Sequence, residues 1–178
     1  RRFYCDNGRF NDRNFTYVAA FGVFTKVSYT TPQNMKNALG YGAYLLNLVS
    51  AVADLPNSRM HIRYTHDGVC EEGDFILGAI TNTTSVGGLK PRLIQRAEMS
   101  DGYFELTMIR APGSLLEWNE TLAAAMTGGG ENPYVSVCRA QRVQLSFERE
   151  IAWTLDGEPG GEHRSADIRV APKAVDFF

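Results

Sequence analysis

Apolar and polar positions alternate along this chain with two different periods. Phe3-Tyr4-Cys5 is a short apolar run meeting Asn7-Gly8. That pair supplies the positive φ angles of a tight type I′ turn, so a strand entering a hairpin is expected. Residues 15–27 are dense in Phe, Tyr and Val and read as one long, mostly buried strand bent at Gly22. Residues 59–64 alternate with period two, Asp67-Gly68 turns them, and residues 69–81 return as the partner strand. Helical spacing appears twice. Thr31-Pro32 offers an N-cap and a first-turn proline, after which Met35, Leu39, Leu46 and Val49 recur until Asp54. Ser114 to Glu117 is a capping box opening a second helix with Leu115, Leu122 and Met126 on its apolar face, ended by Gly128-Gly129-Gly130. Asp101-Gly102 turns into a strand at 103–110, and further strands are expected at 134–138, 142–147, 151–155, 166–170 and 173–178.

About ten strands, two helices and no βαβ alternation predict a mainly β fold. The expected architecture is an antiparallel β-sandwich with two inserted α-helices, forming a single domain over 1–178. Composition agrees: 17 Gly, 7 Pro and 8 Tyr supply turn and strand chemistry, and 44% apolar with 21% charged residues is an ordinary globular mixture. Lys plus Arg number 18 against 20 Asp plus Glu, a net charge of -2, so bulk charge gives no reason to expect a nucleic-acid partner. Cys5, Cys70 and Cys138 are far apart and form no C-x-x-C unit, which predicts reduced thiols rather than a disulfide framework or thiolate zinc site. The longest uncharged stretch, 37–53, is shorter than a bilayer span and contains Asn37, Gly40, Asn47 and Ser50. The opening Arg1-Arg2-Phe3, without Met, suggests a piece of a longer protein.

Three stretches could carry chemistry. In Leu155-Asp156-Gly157-Glu158-Pro159-Gly160-Gly161, two acids flank one glycine at the end of an apolar strand. Acids beside an apolar wall can differ in proton affinity, as a general base requires. A plain Asp-Gly hairpin with solvated acids explains the same residues. Asp101, at a glycine turn between Glu98 and Tyr103, could hold a hard cation through oxygen ligands, or simply close an Asx turn. Thr81 to Gly88 is rich in hydroxyls and glycine, yet the chain contains neither G-x-x-x-x-G-K-[ST] nor G-x-G-x-x-G, so no phosphate loop is encoded. His61 and His66 lie five apart on a strand and turn and point to different faces, which argues against a shared metal.

Several stretches, in order and spacing, resemble one family: Tyr17-Val18-Ala19-Ala20-Phe21-Gly22, Val27-Ser28-Tyr29-Thr30-Thr31-Pro32, Gly42-Ala43-Tyr44-Leu45-Leu46, Thr81-Asn82-Thr83-Thr84-Ser85-Val86-Gly87-Gly88, Ser100-Asp101-Gly102-Tyr103-Phe104 and Leu155-Asp156-Gly157-Glu158. They look like the C-terminal domain of bacterial diacylglycerol kinase-like lipid kinases, whose superfamily includes sphingosine and ceramide kinases. The resemblance implies a β-sandwich that presents a lipid alcohol, opposite an N-terminal ATP-binding domain that this chain lacks. It also implies ATP as phosphoryl donor and Mg²⁺ as cofactor. By position, Glu158 and Asp156 would face the cleft, with Glu158 as proton acceptor and Asp156 orienting the hydroxyl or a magnesium-bound water. The metal ligands would be the carboxylate of Asp101 and the backbone carbonyls of Glu98 and Tyr103. Ser100 stands where relatives often carry an acid, which would weaken the cation site.

The protein would then be cytoplasmic and peripheral at the membrane surface, with room for a homodimer, and this chain alone would be inactive. The helix expected at 32–53 would suit either a lipid-facing wall or packing on the sandwich. Two other functions fit the residues: a non-catalytic lipid-binding β-sandwich module, and a kinase of a soluble alcohol on the NAD kinase plan.

Overall fold

The period-two alternation is sharpest where Met60, Ile62 and Tyr64 are buried while His61 and Arg63 face outward. In the computed structural model, residues 3–23, 58–83, 98–114, 116–121 and 132–177 are described. They form nine strands: β1 (Phe3–Phe10), β2 (Arg13–Phe15), β3 (Val18–Gly22), β4 (Met60–His66), β5 (Val69–Thr81), β6 (Phe104–Arg110), β7 (Val135–Ala140), β8 (Arg142–Leu155) and β9 (Glu158–Phe177). Every pairing is antiparallel, in the order β2-β1-β9-β8-β3-β5-β6-β7, with β4 joined to both β5 and β8. The mainly β, antiparallel class expected from the pattern is the one observed. The long strands β5 and β8 are thus bridged twice, by β4 near one end and by β3 near the other.

This double bridging curls the sheet around one core, to which all nine strands contribute, from Phe10 and Phe15 through Phe21, Ile62, Phe75, Leu106 and Ala140 to Trp153 and Ile168. Trp153, with no exposed surface, sits centrally against Phe10, Phe21 and Phe147. A second, smaller cluster on the other face joins Ile76, Leu77 and Ile109 to Trp118. Trp118 belongs to a helical stretch at 116–121 opened as its capping residues predict: the Glu117 N–H donates to Ser114 Oγ at 3.2 Å. Leu115, Leu122, Met126, the glycine run and the whole helix expected at 32–53 lie outside the described residues.

Four expectations change. Asn7-Gly8 is not a turn. β1 runs straight through it, and Gly8 is required because the Phe15 ring lies 2.2 Å from where a Cβ would stand. The turn falls at Asn11, with φ 51. The described part of the long strand expected at 15–27 is instead the end of β2 and all of β3, broken at Thr16-Tyr17, whose N–H groups are drawn to Asp156 rather than to a sheet ladder, while residues 24–27 lie outside the described residues. The strands expected at 142–147 and 151–155 are one, because the charged Glu148-Arg149-Glu150 stretch is absorbed in a register shift between Ser146 and Ile151. Likewise β9 continues for 20 residues. Gly160-Gly161 falls beside the register shift opposite Trp153 and Thr154, and Pro172 lies within the shift opposite Asp6.

Candidate functional site

Asp156 and Gly157, with φ 53 and 87, form the two-residue turn between β8 and β9, closed by the Leu155–Glu158 pair. The hairpin is therefore real, but Asp156 is not a merely solvated acid. Its carboxylate accepts three backbone N–H groups: Thr16 at 2.7 Å on Oδ2, and Tyr17 and Val18 at 2.8 and 2.9 Å on Oδ1. Its own N–H donates to the Val18 carbonyl at 2.8 Å. The hairpin tip is thus clamped to the β2–β3 corner. Glu158, one residue beyond the turn, is exposed, and among the described residues nothing hydrogen-bonds or ion-pairs with its carboxylate. Beneath it Gly160 allows close packing, because a Cβ there would stand 2.9 Å from the Trp153 carbonyl oxygen. His163 serves the same packing: Nε2 lies 3.0 Å from the Gly160 carbonyl oxygen, and the ring meets Phe10 edge-on.

The other two candidate stretches come to the same corner. The Asn82 N–H donates to the Tyr17 carbonyl at 2.9 Å, and its Nδ2 donates to the Asp6 carbonyl at 2.8 Å. Asp6, with no exposed surface, accepts the Gly102 N–H at 2.6 Å through its carboxylate, and its own N–H donates to the Met99 carbonyl. A continuous path of hydrogen bonds therefore runs from Asp156 through Tyr17, Asn82 and Asp6 to the Gly102 turn. Residues 84–88 of the Thr81 to Gly88 stretch lie outside the described residues.

At that turn Asp101 Oδ1 accepts the Tyr103 N–H at 2.9 Å, the Asx arrangement weighed from the sequence. Its other oxygen is held by the Arg139 guanidinium, which also lies 4.5 Å over the Tyr103 ring. Arg139 pairs across the ladder with Glu105, a buried carboxyl whose pKa is raised first by burial and then by Asp101. Burial, and then Asp6, push the Cys5 thiol up as well. Glu98 is exposed. Among the described residues no three His, Cys, Asp or Glu side chains gather as a metal site. The cation reading rests instead on Asp101 with two backbone carbonyls. The donor set suits a hard cation: all are oxygens, and at the same corner the buried Asn82 Oδ1 has no hydrogen-bond partner among the described residues.

Asp6, Glu105 and Arg139 were not singled out from the sequence. Glu105 carried a signal, being a carboxylate between Phe104 and Leu106 in an apolar strand, whereas Asp6, at the end of the Phe3-Tyr4-Cys5 run, and Arg139 carried none. His61 and His66 occupy separate surroundings, as their spacing predicts. His61 lies between Asp74 and Glu72, while His66 lies beside Glu71 and Cys138. The three thiols are free. Among the described residues no helix is long and apolar enough to cross a membrane.

The fold has known counterparts. Residues 18–178 match the family described as YegS C-terminal NAD kinase beta sandwich-like domain. A diacylglycerol kinase of Bacillus subtilis (strain 168) is 31% identical over 157 residues, covering 88% of this chain and 50% of the relative. A diacylglycerol kinase of Staphylococcus carnosus (strain TM300) is 30% identical over 158 residues, with the same coverage. The chain thus spans about half the length of the curated relatives it matches. A crystal structure of a diacylglycerol kinase from Bacillus anthracis str. Sterne superposes with a TM-score of 0.69 at 14% identity, covering 99% of this chain and 53% of that one, a likeness of fold. On the match over 18–178, the chain belongs to the YegS C-terminal, NAD kinase beta sandwich-like domain family, to which these diacylglycerol kinase relatives link it.

Proposed function

We propose that this chain is the C-terminal, substrate-side domain of a two-domain lipid kinase that phosphorylates the hydroxyl of diacylglycerol or a related lipid alcohol. The ATP would be held by a separate N-terminal domain, and the protein would work from the cytoplasm at the membrane surface. The observation that carries this reading is the pairing of an anchored acid with a free one: Asp156 is locked by three N–H groups, while Glu158 beside it has no partner among the described residues.

In this mechanism Glu158 accepts the proton of the lipid hydroxyl as its oxygen bonds to the γ-phosphorus, while the bond from that phosphorus to the bridging oxygen breaks and ADP leaves. Positioning and charge neutralisation dominate such transfers, so the fixed geometry of the turn matters as much as basicity. Asp156 becomes a positioning residue that holds the Glu158 backbone relative to the β2–β3 corner. Asp101, with the Glu98 and Tyr103 carbonyls, would hold Mg²⁺, which when bound supplies positive charge and order at the turn. Arg139 competes for the same carboxylate.

The test is labelled phosphate transfer from ATP by the intact protein, offered diacylglycerol, a sphingoid base and NAD in parallel. Label in the lipid phosphate supports the proposal. Label appearing only in NADP, or in no product, overturns it.

A further inference from the structure

Away from this corner, at the opposite end of the β8–β9 ladder, three arginines stand side by side. Arg9 of β1 is the cross-strand partner of Arg169 of β9, which is in turn the partner of Arg142 of β8. Direct partners on adjacent strands project from one face about 5 Å apart, and like charges so placed repel. One carboxylate, Asp167, stands among them. It accepts Nε and Nη2 of Arg142 at 3.0 and 3.1 Å, and Nε and Nη2 of Arg169 at 3.1 and 2.6 Å. These two guanidiniums hold the Asp167 carboxyl down at about 2, so it remains ionised and the group carries two net positive charges.

The cluster is ordered before any ligand arrives. The Asp167 N–H donates to Asn11 Oδ1 at 2.9 Å, and the Asn11 N–H donates back to the Asp167 carbonyl at 3.0 Å. Arg9 uses only Nε, on the Asn11 carbonyl at 3.2 Å, and its two terminal nitrogens meet no acceptor among the described residues. Arg9, Asn11, Asp167 and Arg169 line a surface hollow of about 280 Å³. Beside it a second hollow, sharing Asn11 and Asp167, is floored by Gln144, Ser146 and Ser165.

We propose that the Arg9–Arg169–Arg142 row is a binding site for a phosphate group, either as a free phosphate or as part of a lipid headgroup. Two guanidiniums braced by one carboxylate, with the terminal nitrogens of a third meeting no acceptor among the described residues, present N–H donors in the fork geometry that suits phosphate oxygens. A phosphate also offsets the repulsion that the register builds into the row. The site is separate from Glu158 and does not depend on the kinase reading.

The test uses the intact protein at constant ionic strength in chloride buffer. One arm follows ³¹P line broadening of inorganic phosphate, and the other follows co-sedimentation with phosphatidylcholine vesicles with and without phosphatidic acid. The wild type is expected to bind in at least one arm, and Arg9→Gln/Arg169→Gln to bind about tenfold more weakly there. Loss in the phosphate arm alone identifies a free phosphate ligand, and loss in the vesicle arm alone a headgroup. Arg9→Gln by itself, which leaves the Asp167 brace intact, should lose severalfold and serves if the double variant does not fold. Binding by the variants equal to wild type in both arms, or no wild-type binding in either, overturns the proposal. Lipid phosphorylation is not the readout, so failure here leaves the Glu158 assignment to its own assay.

Discussion

Asp156 and Asn82 grip the Tyr17 residue from opposite sides: the Asp156 carboxylate accepts its N–H at 2.8 Å, and the Asn82 N–H donates to its carbonyl at 2.9 Å. One exposed residue at a strand break therefore couples the hairpin carrying Glu158 to the buried Asp6–Gly102 network. The acid beside the proposed base is part of the scaffold, and this separates the expected behaviour of the two.

Asp156→Ala removes the acceptor for three N–H groups and places alanine at φ 53. Charge-assisted bonds open to solvent are worth less than buried ones, so the expected loss of stability is about 2 kcal/mol. Asp156→Asn tolerates the left-handed backbone and keeps one acceptor oxygen, so it should lose less. Urea unfolding midpoints order the three proteins. An alanine variant as stable as wild type would contradict the clamp.

Glu158→Gln should behave in the opposite manner. The side chain is exposed and without partners among the described residues, so stability should stay within about 0.5 kcal/mol of wild type. If Glu158 accepts the hydroxyl proton, phosphate transfer to diacylglycerol falls by roughly a hundredfold to ten-thousandfold. A variant that turns over at the wild-type rate removes Glu158 from the chemistry.

Arg139 shares the Asp101 carboxylate with any cation bound there. Arg139→Gln removes a positive charge from that carboxylate, and relief of roughly 1 kcal/mol of solvent-screened repulsion would tighten divalent binding about fivefold. Manganese titration followed by electron paramagnetic resonance measures this. Unchanged affinity in the variant would show that Arg139 and the ion do not compete.

His61 ties β4 to β5 through Asp74 at 2.9 Å and Glu72 at 3.1 Å. These bonds, to Asp74 first and Glu72 second, raise its pKa above the ordinary 6.5. The folded state therefore holds the proton more tightly than the unfolded chain does. The imidazolium's contribution is complete below about pH 6.5 and is lost as pH rises through the raised value. Thermal midpoints should fall over that window in wild type and stay flatter in His61→Gln. Equal slopes would show that the bridge contributes nothing.

Much of this architecture is legible in the sequence because its signals are local. The β4–β5 hairpin follows from alternation over a few residues and from Asp67-Gly68, with φ 44 and 92. Asp156-Gly157 marks the β8–β9 turn for the same reason: two adjacent backbone angles suffice. Even the three candidate stretches were visible as unusual clusters of acids, hydroxyls and glycine. The rest depended on residues far apart in the chain. Gly8 is explained by Phe15 across a strand, not by Asn7, and β9 passes through Pro159, Gly160 and Pro172 because Trp153 and Asp6 stand opposite the shifts in its ladder. Asp156 became an anchor because the β2–β3 corner aims three N–H groups at it. The arginine row exists only through the registers that set β1 against β9 and β9 against β8. Turns and alternation are written in neighbouring residues. Partnership across strands arises from closing the sheet around Trp153, which no single stretch of sequence contains.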